Sequence, residues 1–161
     1  MSKLKIPKTV KMIISDFDGV MTDGCIYLDE NLKISRKLSF KDIMAVSLLR
    51  KSDVDLAFIS GEKNPIMDFL AERFNVKEIH QDIRIKIDVL KMIVEKYNLG
   101  HNEFLYIGDD INDIDCLKFA DIKITVPNST HRVKKVKGIQ ITNATGGDGA
   151  FREVVDCLLD S

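Results

Sequence analysis

Cysteine is scarce: Cys25, Cys116 and Cys157 are the only three in 161 residues, far apart and without a Cys-x-x-Cys pair. Neither a disulfide framework nor a thiolate metal site is indicated, and a reducing compartment fits. An excess of one charge is missing too. Twenty-four Lys plus Arg stand against 25 Asp plus Glu, a net charge of −1, which removes the electrostatic argument for binding nucleic acid or an anionic membrane surface. A small-molecule partner is expected instead. Apolar runs stop at about five residues, where roughly 20 are needed to cross a bilayer. Residues 1–11 carry no apolar signal region. Linkers, low-complexity tracts and internal repeats are absent as well. What the chain does have is 45% hydrophobic and 30% charged residues, enough apolar side chains for one packed core. A single soluble cytoplasmic domain over residues 1–161 is expected.

Short apolar runs alternate with stretches of helical period. This βαβ rhythm implies an α/β fold, a Rossmann-like parallel sheet flanked by helices. Residues 12–15 read as a buried strand, 54–59, 104–107 and 122–126 repeat the pattern, and a shorter strand is expected near 78–80. Helical spacing runs through 43–50, 64–74, 87–97 and 111–119, and an amphipathic helix is expected over 151–159. Pro65 suits a first helical turn. Residues 24–40 break the rhythm with two strand-like runs around Asp29, Glu30 and Asn31. They read as a β-hairpin inserted after the first strand, a flap or an interface.

In an open parallel sheet the ligand site lies beyond the carboxyl ends of the strands. Asp16-Phe17-Asp18-Gly19 puts two carboxylates there, spaced so that both face one site while Phe17 turns away. The pair is either metal-assisted acid/base machinery or simply a turn, since Asp and Gly favour strand ends. Gly108-Asp109-Asp110-Ile111-Asn112-Asp113 follows another apolar strand and offers hard oxygen ligands suited to Mg²⁺. It is also what a carboxylate-decorated helix N-terminus looks like. An EF-hand is excluded, because Asp115 stands where that loop needs Gly and Asp121 where it needs Glu. Ser60-Gly61 after the strand at 54–59 is an anion cradle or an ordinary turn. Lys86, off the apolar stripe of its helix, is a solvated lysine unless a phosphate calls for a point charge. His80, His101 and His131 lack metal-pair spacing, no Walker or dinucleotide loop is present, and the basic run 131–137 reads as a solvated helix face.

Taken in order, these four stations resemble the haloacid dehalogenase superfamily of phosphotransferases, with its Asp-x-Asp-Gly, Ser or Thr, Lys, and Gly-Asp-x-x-x-Asp. Thr22-Asp23-Gly24, the hairpin, Gly61-Glu62-Lys63 and the tail from Gly146 to Glu153 resemble its capless branch of 3-deoxy-D-manno-octulosonate 8-phosphate and nonulosonate 9-phosphate phosphatases. In 161 residues there is no room for a cap domain beside a complete sheet. The resemblance implies that Asp16 is the nucleophile and Asp18 the acid/base. It implies Mg²⁺ held by Asp16, Asp18 (through its backbone carbonyl) and Asp109, with Ser60, Gly61 and Lys86 on the phosphoryl group. Asp113 supports Lys86 or a metal-bound water. It further implies a homotetramer whose hairpins associate, with the tail of one subunit, Gly146 to Arg152, approaching a neighbour's site and closing over a sugar phosphate. The chain departs from the branch at Asp42-Ile43-Met44-Ala45, where relatives carry Asp-Gly-x-Gly. The departure bears on the choice between the eight- and nine-carbon sugars and leaves the phosphoryl-transfer residues untouched. A catalytically silent oligomerisation or regulatory module is the rival class, opposed by the joint presence of Asp16, Asp18, Ser60, Lys86 and Asp109.

Overall fold

The computed structural model describes residues 4–160; residues 1–3 and 161, the ends of the expected domain, lie outside them. The first strand, β1 (Met12–Ser15), is buried along its whole length. The inserted hairpin follows as β2 (Tyr27–Leu28) and β3 (Ile34–Ser35), then α1 (Phe40–Leu49), β4 (Asp55–Ile59), α2 (Pro65–Phe74), β5 (Glu78–His80) and α3 (Lys86–Lys96). The second half runs β6 (Phe104–Ile107), a 3₁₀ turn (Ile111–Asp113), α4 (Ile114–Phe119), β7 (Ile122–Thr125), α5 (His131–Lys134), β8 (Gln140–Ile141) and α6 (Ala150–Leu159).

All six strands of the main sheet are parallel, in the order β5-β4-β1-β6-β7-β8. Alternation along each strand sends its apolar residues to opposite faces. Ile13, Phe58 and Leu105 join one core with α1, α2 and α6, while Met12, Ile14, Ala57 and Tyr106 join a second with α3 and α4. Burial on both faces is why these strands read as unbroken apolar runs. The chain winds outward from β1 through β4 to β5, then returns to place β6 on the other flank of β1. A crevice therefore opens at the carboxyl ends of β4, β1 and β6.

Local chemistry accounts for the boundaries. Asn64 caps α2 by accepting from Ile66 N–H at 2.8 Å, with Pro65 in the first turn as its fixed φ suits. Ser39 caps α1, so that helix begins at Phe40 rather than at residue 43. The helix expected over 111–119 is divided, because Asp110 and Asp113 form a capping box around the 3₁₀ turn. The hairpin is present, but each arm pairs over only two residues, and Ile26, Tyr27, Leu28, Leu32 and Ile34 are exposed. β8, two residues long, has no counterpart in the sequence reading.

Candidate active site

Strand register brings the stations together. Ser15 pairs with Phe58 on one side and Ile107 on the other, so the next residues of all three strands reach one edge level with each other. Phe17 does turn inward. Its ring meets Phe58 edge-on at 5.4 Å, and Phe58 in turn meets Phe151 of α6 at 6.2 Å. With Phe17 fixed in the core, Asp16 and Asp18 are left on the cleft side.

Asp16 Oδ1 accepts from Phe17 N–H at 2.6 Å and lies 2.9 Å from Lys86 Nζ. Lys86 is not the solvated lysine its position off the helical stripe suggests: it is 1% exposed. It opens α3, and side chains there lean back toward the helix N-terminus, which sends the ammonium beneath the strand ends. Its second partner is Asp113 Oδ1, at 2.8 Å. Of the two roles left open for Asp113, the contact with Lys86 is present. Tyr106 OH also donates to Asp113 Oδ1, at 2.7 Å, while the other carboxylate oxygen accepts from the N–H groups of Asp109 and Asp110 at 3.1 and 3.2 Å. Every oxygen of this buried carboxylate is engaged, as burial requires. The sequence pattern alone gives Tyr106 no role, because a tyrosine inside an apolar strand reads as core.

Carboxylate oxygens of Asp16, Asp109 and Asp113 all lie within 4.8 Å of one another. Among the described residues, Lys86 is the single ammonium bonded into this group. Burial, followed by the charge of Asp113, holds the Asp16 carboxyl well above the usual range despite Lys86. The same two causes push Asp109 up to about 7. A crowd of hard, under-compensated oxygens is what a divalent cation neutralises, so the donor set fits Mg²⁺. Asp18 does not join the cluster through its carboxylate. Its Oδ1 accepts from Arg36 Nε at 2.9 Å and from Thr22 Oγ1 at 3.2 Å, and its Oδ2 is buried without a hydrogen-bond partner.

Ser60 is buried at the end of β4, and its Oγ accepts from Glu62 N–H at 3.1 Å. Asp16, Asp18, Ser60, Gly61 and Asp109 line one cleft of about 430 Å³, in the size range of small-molecule sites. Glu62, Arg84 and Asn112 line it as well. Arg84 and Asn112 were not singled out from the sequence, although a cation two residues before Lys86 was a usable signal.

Arg152 is not brought to this cleft. Its Nε pairs with Asp156 Oδ1 one helical turn along α6, at 2.6 Å. The start of the tail does reach the site, through its backbone. A Cβ on Gly146 would fall 1.8 Å from the carbonyl oxygen of Gly19, next to Asp18. Asp42, on α1, anchors the same tail by accepting from the N–H groups of Gly149 and Arg152 at 3.0 and 2.9 Å. Gly146→Ala is therefore expected to push the tail off the Asp18 loop and to lower both Tm and kcat. Gly138→Ala, where nothing lies within 4 Å but φ is +79°, is expected to cost only about 1 kcal/mol with kcat unchanged. Thermal melts and turnover of the two variants side by side check this.

A family model described as haloacid dehalogenase-like hydrolase matches residues 27–153. The 3-deoxy-D-manno-octulosonate 8-phosphate phosphatase KdsC of Escherichia coli K12 is 26% identical over 152 residues, covering 94% of this chain and 80% of that protein. Among solved structures, the 3-deoxy-D-manno-octulosonate 8-phosphate phosphatase of Moraxella catarrhalis, in complex with magnesium, phosphate and KDO, superposes with a TM-score of 0.87. It is 29% identical, over 95% of this chain and 87% of that one. The cobalt-bound deoxy-D-mannose-octulosonate 8-phosphate phosphatase of Haemophilus influenzae gives a TM-score of 0.86 at 25% identity, over 95% and 89% of the two chains.

Proposed function

The chain belongs to the haloacid dehalogenase-like hydrolase family, and from that premise we propose a Mg²⁺-dependent phosphatase that cleaves 3-deoxy-D-manno-octulosonate 8-phosphate through an aspartyl-phosphate. The observation that carries the reading is the buried Lys86 ammonium between Asp16 and Asp113 at the cleft floor. A nucleophilic carboxylate is held there in fixed geometry.

An Asp16 oxygen attacks phosphorus in line as the bond from phosphorus to the sugar oxygen breaks. Asp18 gives a proton to that leaving oxygen through its free Oδ2. The same oxygen then takes a proton from the water that attacks phosphorus, and inorganic phosphate leaves Asp16. The Lys86 ammonium, the Ser60 hydroxyl and the Gly61 amide stabilise the transferring group. Asp16, Asp109 and the backbone carbonyl of Asp18 would hold Mg²⁺, which when bound supplies positive charge against the repulsion between carboxylate and phosphate.

Two expectations attach to the metal. Chelation is expected to abolish phosphate release and added Mg²⁺ to restore it. Independently of turnover, Mg²⁺ at about 100 times its Kd is expected to stabilise the fold by about 2.7 kcal/mol, read as a rise in Tm that Asp109→Asn removes.

The nine-carbon 9-phosphate is the second reading. It stays open because Glu62 on the cleft wall can meet a substrate hydroxyl of either sugar and because the chain departs from the branch at Ile43 and Ala45. The exposed apolar side chains of the hairpin support a homotetramer assembled through it. Among the described residues no helix is long and apolar enough to cross a membrane, in keeping with a single cytoplasmic domain acting on a small molecule. Phosphate release from the eight- and nine-carbon esters, measured side by side with Mg²⁺, tests the assignment. A preference in kcat/KM names the sugar. No release from either, by folded protein with metal bound, moves the reading to another ester or to a silent module.

A further inference from the structure

The inserted hairpin reaches the reacting groups through one side chain. Arg36 follows β3 directly, and its side chain is 11% exposed, far less than the hairpin around it. Arg36 Nε donates to Asp18 Oδ1 at 2.9 Å. Thr22, fully buried, donates to the same oxygen at 3.2 Å and accepts from the N–H groups of Gly19 and Gly24 at 3.1 and 3.3 Å. An antiparallel bridge between Thr22 and Leu38 ties the returning arm to this turn, and two-residue alternation puts Arg36 on the same side as Leu38. At the other arm, Tyr27 OH donates to Asp23 Oδ2 at 2.6 Å. The hairpin is thus pinned to the Asp18 loop on both sides. One oxygen of Asp18 is clamped by two donors, and the other is buried with none.

We infer that Arg36 is a positioning residue for Asp18: the hairpin guanidinium fixes the carboxyl group so that the unpartnered Oδ2 is the oxygen that exchanges protons with the leaving group and with water. A planar guanidinium suits this because it holds an oxygen at fixed angle and cannot be deprotonated. Arg36 need not touch substrate.

The inference rests on the phosphatase reading, and two classes of ester separate their failures. An alkyl leaving group, as in the ulosonate phosphates or a simple alkyl phosphate, needs a proton as the ester bond breaks. The p-nitrophenolate of p-nitrophenyl phosphate leaves without one. For Arg36→Met, kcat on the alkyl ester is expected to fall about 10²-fold with KM little changed. On p-nitrophenyl phosphate, one equivalent of p-nitrophenol per active site is expected at the unaltered rate, followed by slow turnover, since hydrolysis of the aspartyl-phosphate also needs Asp18. Arg36→Lys is expected to recover part of the alkyl-ester rate. Unaltered turnover of the alkyl ester by Arg36→Met overturns the inference. So does an equal slowing of the first p-nitrophenol release, which marks a merely structural role. If the unsubstituted enzyme hydrolyses neither class, the phosphatase reading falls and the inference with it.

Discussion

Asp16→Asn is expected to lower kcat by about 10⁴-fold or more while leaving Tm unchanged or raised. The amide keeps the shape of the carboxylate, and its Oδ1 can still accept from Phe17 N–H, now 2.6 Å away. What it loses is the negative charge and the nucleophilic oxygen. Folding the native residue places a carboxylate within 4.8 Å of two others in a buried setting that resists its ionisation. Neutralising it relieves that repulsion, and Lys86 retains Asp113 as partner. Steady-state phosphate release and a thermal melt on the same preparation check both halves. Undiminished turnover sinks the nucleophile assignment, and a collapse in Tm sinks the electrostatic account.

Lys86→Met is expected to do the reverse, losing fold stability as well as turnover. Removing one partner of a buried ion pair costs roughly 3–5 kcal/mol because it strands the other charges. Here two carboxylates are stranded, Asp16 and Asp113. The lower end of the range applies, since burial already holds the Asp16 carboxyl above its usual range. About 3 kcal/mol is on the order of 6–12 °C in Tm for a chain of this size. Under the proposed role of Lys86 toward the transferring group, loss of its charge is expected to remove a further 10²–10³-fold or so from kcat. Adding Asp113→Asn to Lys86→Met is expected to recover part of the Tm but none of the rate, a non-additivity that a double-mutant cycle measures. Equal Tm for Lys86→Met and the native enzyme contradicts the buried bridge.

The contrast between these two residues shows what the sequence can and cannot carry. Asp16 is legible because its signal is local: a buried apolar strand, then two acids flanking an aromatic. The sheet is legible for the same reason, each of β1, β4 and β6 being a compact apolar run. Lys86 is legible only through the resemblance, its spacing alone reading as a solvated lysine, because what buries it is the meeting of Asp16, 70 positions earlier, with Asp113, 27 positions later, and no window of sequence contains all three. Arg36 is hidden likewise among the charged residues of a short hairpin. Arg152 differs: within its own chain the carboxylate of Asp156, one helical turn on, takes the guanidinium, while the resemblance directs the tail to a neighbouring subunit's site. β8 is invisible because two residues set no period.

The aromatic row Phe17–Phe58–Phe151 has a consequence for how the protein is made. By the time a ribosome has delivered Asp113, every candidate catalytic side chain has been synthesised. The surface against which Phe17 and Phe58 close is not complete until α6 emerges, 38 positions after Asp113 at Phe151. A nascent chain holding all the reactive groups therefore still lacks the last wall of the core that keeps Asp16 and Asp18 turned outward. The packing that turns Asp16 and Asp18 toward the cleft is expected to be complete only once Phe151 has emerged.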